Sequence, residues 1–234
     1  MVQGKVAVVA GATGGIGRAV TAQLAQAGAK LVLAGRNSDR LQELAHTYPE
    51  AVVVPTDITD PAQVEALMHK AVSHFGGVDI LVNSAGVGVM KQYNKIEPAD
   101  LGAMLEVNLK GCFYLMQSAC QVMKERQGGH ICNVIGILGK HTMPMGTAYC
   151  ASKFGAVGLT KCVAEEVKRF GIKVTIFYFG GVNTPFWDNV NLKVDRSKML
   201  SADQAARAIL FALTADPMAV PMEINIQPES HLFF

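Results

Sequence analysis

Val6-Ala-Val-Val-Ala10 runs straight into Gly11-Ala-Thr13-Gly14-Gly15-Ile16-Gly17 near the start of the chain. The first five residues form a short continuous apolar run, the pattern of a strand buried on both faces. After the glycines a helical pattern continues through Val20, Leu24 and Ala27 to Gly28. Strand, glycine turn and helix start, in that order, make an anion site: bare N–H groups and the positive end of the helix dipole face a phosphate. Glycines there let a pyrophosphate approach the main chain and let the helix pack closely on the strand. The spacing is Gly-x-x-x-Gly-x-Gly, a variant of the more familiar Gly-x-Gly-x-x-Gly. Gly11, Thr13, Gly14, Gly15, Ile16 and Gly17 are therefore assigned to a dinucleotide.

Working outward, the second strand is Lys30–Ala34, which ends in Gly35-Arg36-Asn37. An acid at this end would bond the ribose 2′-hydroxyl of NAD, whereas an arginine suits a 2′-phosphate, so Arg36 favours NADP(H) over NAD(H). Ser38 is the expected N-cap of a helix to about Tyr48, and the third strand is Ala51–Pro55. Asp57, followed by Ile58, sits just past that strand's carboxyl end, where open parallel sheets place ligands. It suits either an adenine amino group or the cap of a Pro61–Phe75 helix. The fourth strand, Ile80–Val82, leads into Asn83-Ser-Ala85-Gly86, whose small residues leave room for a flat ligand. Asn83 there reads chiefly as a tie between strand ends.

A helix over Pro98–Arg126 carries Asn108, an amide among apolar residues that is either a structural lock or a water holder. The fifth strand is His130–Val134, and another helix runs from Tyr149 to Phe170. The sixth strand is Val174–Phe179, followed by Gly180-Gly-Val182-Asn-Thr184-Pro185, and Met222-Glu-Ile-Asn-Ile reads as a seventh. Strands alternating with helices over residues 1–234 imply one α/β domain. It is a doubly wound, Rossmann-type sheet of about seven parallel strands flanked by helices.

Half of the 234 residues are hydrophobic and 17% are charged, which excludes a disordered chain. A formal charge of +2 with no basic run argues against nucleic acid as a partner. No apolar stretch reaches the ~18 residues of a membrane span, and no signal peptide is recognisable at the amino terminus. Five cysteines without metal or CxxC spacing read as reduced, mostly buried residues of a cytoplasmic protein, and no metal site is expected.

Tyr149 and Lys153 lie at i and i+4 in Tyr-Cys-Ala-Ser-Lys and so share a helix face. A fixed ammonium beneath a phenol favours the phenolate and pulls its pKa below the ordinary value near ~10. Such a pair makes a proton donor and acceptor usable near neutral pH. Alone, the pattern also fits a buried tyrosine with a snorkelling lysine.

Together these pieces resemble the short-chain dehydrogenase/reductases over essentially the whole chain. The resemblance rests on the glycine loop, Asp57, Asn83-Ser-Ala-Gly86, Asn108, Tyr149-x-x-x-Lys153 and Gly180 to Thr184. It implies NAD(P)-linked interconversion of alcohols and carbonyls, usually in a tetramer or dimer. Tyr149 would donate the proton to the carbonyl oxygen, Lys153 would bond the nicotinamide ribose and depress the tyrosine pKa, and Asn108 would hold a water. Val182 and Thr184 would contact the nicotinamide carboxamide, with Asn37, Ile58 and Ala85 also around the cofactor.

The chain departs from that family where a serine normally bonds the substrate oxygen: the position is Gly136. Losing one such donor typically costs ~10²–10³ in rate. Gly136 then reads as an introduced substitution, as the mark of a weak natural catalyst with Thr142 or a water standing in, or as the sign of a protein that only binds cofactor. A smaller departure is Phe179, where the family usually has proline. The substrate wall is expected over Gly139–Thr147 and Pro185–Met199. Leu138, Met143, Met145, Phe186, Trp187, Val190 and Leu192 suit an apolar or aromatic carbonyl compound. Gln127 and Phe170 stand where relatives acting on carrier-bound 3-oxoacyl groups have arginines, with Arg126 and Arg169 one residue off, which weakens that assignment without excluding it. The terminal Phe233-Phe234 is read as a subunit contact.

Overall fold

Strand β1 (Val6–Ala10) is buried at every residue, as its unbroken apolar run requires. It is followed by α1 (Gly15–Gln26), β2 (Lys30–Gly35), α2 (Ser38–Thr47), β3 (Val52–Pro55), α3 (Pro61–Phe75) and β4 (Ile80–Asn83). The second half adds α4 (Pro98–Met104), α5 (Cys112–Glu125), β5 (Gly129–Val134), α6 (Thr147–Val167), β6 (Ile172–Phe179), α7 (Ala202–Thr214) and β7 (Glu223–Ile226). The computed structural model describes residues 2–190, 192 and 194–230; the Phe233-Phe234 pair lies outside the described residues.

The seven strands form one parallel sheet in the order β3-β2-β1-β4-β5-β6-β7. Val8 pairs with Val32 of β2 on one side and Leu81 of β4 on the other, so the winding reverses at β1. At such a reversal the loops leaving the two strands diverge and open a crevice at the carboxyl ends. Apolar layers cover both faces of the sheet. Leu24, Leu33, Leu41, Phe177 and Ile209 share one cluster, and Leu67, Met68, Leu81, Leu115 and Met123 the other. A third cluster, with Met90, Ile135, Leu138 and Tyr178, lies beneath the crevice.

Local chemistry sets the helix ends, with two corrections to the expected caps. Asn37, not Ser38, caps α2: its side-chain oxygen accepts the Arg40 N–H at 2.9 Å. Asp60, not Asp57, caps α3, accepting from Ala62 N–H and Gln63 N–H at 2.9 and 3.4 Å, with Pro61 in the first turn. α1 differs, because its N-cap is Gly14, which makes no side-chain cap bond, and its first turn holds no acid.

The helix expected over Pro98–Arg126 is continuous in direction but not uniform. Between α4 and α5 it widens into a π-helical stretch over Leu105–Gly111, centred on Asn108. The widening turns the Asn108 amide out of the ordinary ladder toward the loop after β4. Elsewhere the expected boundaries shift by a few residues, most at α6, which begins at Thr147 and ends at Val167 before a 3₁₀ turn over Lys168–Phe170. Among the described residues no helix is long and apolar enough to cross a membrane.

Candidate active site

The crevice at the carboxyl ends is a continuous cleft of about 880 Å³. At one end Thr13, Gly14, Gly15 and Ile16 from the β1–α1 turn line it, with Arg36 and Arg40 from the β2–α2 connection. Ser84, Ala85 and Gly86 after β4 follow, and Gly180, Val182 and Thr184 after β6. Gly136, Leu138, Met143, Tyr149, Lys153, Phe186, Trp187 and Leu192 line the other end. Most of the residues assigned from the sequence thus meet in one cavity, although the chain separates them widely.

Nine of the residues singled out from the sequence do not line it, each for a visible reason. Gly11 and Gly17 are packing positions: a Cβ on Gly17 would lie 2.1 Å from the Gly11 carbonyl oxygen, and one on Gly11 would lie 2.8 Å from Ala85 N. Asn37 is occupied as the α2 cap. The Asp57 carboxylate accepts from its neighbour Thr59, from the N–H at 2.9 Å and the hydroxyl at 2.8 Å. Those bonds from Thr59, with the Arg36 charge assisting, hold its pKa below the ordinary carboxylate value. Ile58 is buried against Gly111. Asn83 is buried, and its oxygen accepts the N–H of Ala85, two residues on, at 3.3 Å, a bond within the turn after β4 and not between strand ends.

Asn108 is a lock. Its side-chain oxygen accepts Val87 N–H at 2.9 Å, and its amide nitrogen donates to Val87 O at 2.9 Å and Ser152 Oγ at 3.0 Å. Ser152 in turn donates to the Tyr149 carbonyl at 2.8 Å, so the loop after β4 is tied to the start of α6. With both amide hydrogens used, the side chain has none to offer a water. Met145 sits at φ 67°, uncommon for a bulky residue, while its carbonyl accepts Lys91 N–H at 3.0 Å. Val190, expected in the substrate wall, is buried in the cluster beneath it.

Tyr149 and Lys153 share one face of α6, with the Lys153 ammonium 5.6 Å from the centre of the phenol ring. Burial lowers the Lys153 pKa to about 8. Burial also pushes the Tyr149 phenol well above its ordinary value, opposite to the expected depression. Loss of water around the hydroxyl is the main cause, and the Lys153 ammonium beside the ring does not offset it. The result is a neutral phenol poised to donate a proton beside a buried ammonium.

Gly136 stands where the sequence locates it, beside the phenol: a Cβ built there would lie 3.9 Å from the Tyr149 hydroxyl and 3.8 Å from Phe179 O. Space is therefore free, but the backbone is at φ 90° and ψ 162°, a region essentially reserved for glycine. This conformation does not suit a serine, so a side chain placed on the loop as it stands would be strained. Thr142 is exposed and does not line the cleft, so it does not stand in for the missing hydroxyl.

Arg40 is the cofactor-end residue that sequence reasoning missed. Its signal was available as a second arginine close in sequence to Arg36, in the first turn of the helix that follows β2. Gly88, another lining residue, carries no sequence signal. Among the described residues no cluster of His, Cys, Asp or Glu could hold a metal ion.

Comparison with known proteins bears on this geometry. A family model described as short chain dehydrogenase matches residues 5–195. An uncharacterized oxidoreductase of Staphylococcus aureus (strain N315) is 38% identical over 226 residues, covering 96% of this chain and 97% of that protein. The alcohol dehydrogenase of the archaeon Thermococcus sibiricus, complexed with 5-hydroxy-NADP, superposes with a TM-score of 0.91 at 26% identity, covering 98% of this chain and 99% of that one. A 3-ketoacyl-(acyl-carrier-protein) reductase from Brucella melitensis, complexed with NADH, gives the same TM-score of 0.91, identity of 26% and coverages of 98% and 99%.

Proposed function

The chain belongs to the short-chain dehydrogenase/reductase family, and from that premise we propose that it is an NADP(H)-dependent carbonyl reductase or alcohol dehydrogenase acting on a small apolar substrate. The observation that carries the reading is the meeting of Tyr149 and Lys153 with the open α1 amino terminus and two arginines in one cleft.

The residues present fit a nicotinamide dinucleotide. Bare Gly14 and Gly15 and the uncapped N–H groups of α1 hold the pyrophosphate, with no acid in the first turn to repel it. Arg36 just past β2 and Arg40 in the first turn of α2 favour a 2′-phosphate, hence NADP(H). The cofactor, when bound, supplies a hydride to the carbonyl carbon. Tyr149 gives its phenolic proton to the carbonyl oxygen as that charge develops, and the buried Lys153 ammonium offsets the phenolate left behind. Ser152 and Asn108 hold the Tyr149 turn in place. With Gly136 the substrate oxygen has Tyr149 as its side-chain donor, and turnover is lower by the ~10²–10³ that a second donor supplies.

Arg126 is turned to Gly76 O and Asp79, and Arg169 stacks on Phe170, so neither faces the cleft. That favours a free ketone over a carrier-bound acyl group. A homodimer or homotetramer acting in the cytoplasm, each subunit one domain over residues 1–234, completes the reading. The five free cysteines suit that compartment, and the exposed Phe113, Phe154 and Phe211 suit assembly.

The test is NADPH oxidation with a panel of apolar ketones, with Tyr149→Phe as the control. Turnover in the native protein that the variant loses by ~10²–10⁴ supports the reading; NADPH binding without turnover on any ketone refutes it. That second outcome belongs to the alternative reading, a cofactor-binding sensor or scaffold, which the glycine at position 136 favours.

A further inference from the structure

At Gly88 a neighbour's ring takes the place of a side chain. A Cβ built there would lie 2.4 Å from Cζ and 2.9 Å from Cε2 of Phe186, and 3.2 Å from Cε2 of Tyr149. The edge of Phe186 is therefore wedged on bare backbone next to the ring carbon adjoining the Tyr149 hydroxyl. The two ring centroids are 6.0 Å apart and tilted by 55°. At Gly136 the hydroxyl's surroundings are different, since a Cβ built there meets nothing nearer than 3.8 Å. The proton donor thus has one crowded neighbour and one bare one.

The wedge is firmly seated. Trp187 packs edge-on against Phe186 at 5.4 Å, and its indole N–H donates to Val182 O at 2.9 Å. The Arg196 guanidinium donates to Thr184 O at 2.5 Å, Asn183 Oδ1 at 2.9 Å and Asp188 Oδ1 at 2.6 Å. One planar group therefore ties down the chain on both sides of Phe186 and holds the backbone from which the ring projects.

Resting on the ketone-reductase reading, we infer that Phe186 is a specificity-determining residue. Its ring, seated on Gly88, restricts the acceptor to ketones with one small substituent, while the larger apolar substituent takes the bare side at Gly136. A carbonyl whose oxygen accepts from Tyr149 must send its two substituents in different directions. A methyl group fits beside the Phe186 ring and a phenyl does not. The carbonyl then presents one face to the hydride, and one alcohol enantiomer dominates.

Acetophenone, with one methyl and one phenyl substituent, and benzophenone, with two phenyls, separate the possibilities. The native protein is expected to favour acetophenone in kcat/KM by about tenfold or more and to form mainly one enantiomer of 1-phenylethanol. Phe186→Ala should shift the ratio toward benzophenone by at least about tenfold and lower the enantiomeric excess. An unchanged ratio and unchanged excess in that variant overturn the inference. Thermal melting checks folding, and Phe186→Leu replaces the alanine variant if the latter does not fold. Calorimetric titration of the NADPH-loaded protein with each 1-phenylethanol enantiomer, a pair that cannot react, gives a readout free of turnover. Unequal affinities that become equal in the variant support the wedge, and equal affinities in the native protein overturn it. Absence of ketone turnover together with enantiomer discrimination refutes the reductase reading while leaving the wedge standing.

Discussion

A Cβ built on Gly136 would fall 3.9 Å from the Tyr149 hydroxyl, yet the backbone at that glycine, at φ 90° and ψ 162°, is one that residues with side chains essentially never adopt. The proton donor and the place of the missing hydroxyl are neighbours, but position 136 carries no side chain and its backbone disfavours one. Room alone does not make the position a serine site.

Gly136→Ser is therefore expected to cost stability before it aids chemistry. Strain of about 1–3 kcal/mol lowers Tm by about 2–12 °C in a chain of this size. Turnover does not rise by the full ~10²–10³ of an added donor, because the hydroxyl is carried on a distorted loop. Differential scanning calorimetry and NADPH oxidation check both halves. An unchanged Tm with a hundredfold gain would mean that the loop relaxes freely into a serine conformation.

Burial, not the neighbouring charge, sets the protonation of the pair. Lys153, lowered to about 8, is an ammonium at neutral pH and loses its proton as pH rises through that value. Tyr149, raised by burial, remains a phenol over the same range. Ketone reduction is expected to be level from about pH 6 to 7.5 and to fall above about pH 8 as the cation is lost. Lys153→Met should be slow at every pH and lack this limb. A native profile that held level to pH ~10 would mean burial does not control Lys153.

His130 couples stability to acid. Its ring nitrogen lies 2.8 Å from Thr175 Oγ1 in the sheet interior, and burial lowers its pKa to about 4 from 6.5. Between those values the unfolded chain binds a proton that the folded chain refuses, so stability falls as pH drops from 6.5 toward 4. The loss reaches about 3 kcal/mol at most. Urea unfolding of the native protein and His130→Gln at pH 7 and pH 4.5 should show the smaller acid loss in the variant.

Arg36 and Arg40 are expected to share the 2′-phosphate. Arg36→Ala with Arg40→Ala should weaken NADPH binding by about 10–100-fold and leave NADH binding within about twofold, as loss of charge-assisted bonds predicts. Equilibrium titration with both cofactors decides it, and equal losses for the two would remove the phosphate role.

The sequence by itself determined the architecture and the reacting pair. Continuous apolar runs such as Val6–Ala10 suit strands covered on both faces, and the glycine loop and Tyr149-x-x-x-Lys153 are local patterns whose geometry follows from chain spacing. Tertiary structure alone decided what depends on distant neighbours. Tyr149 is an acid held protonated because of what covers its hydroxyl, not because of Lys153 beside it. Asn108 is a lock because a π-helical stretch carries it to Val87, and Met145 leaves the cleft because a strained turn holds its carbonyl on Lys91. Gly136 reads in one dimension as a lost serine. In the fold it has a positive φ that a serine would adopt only under strain.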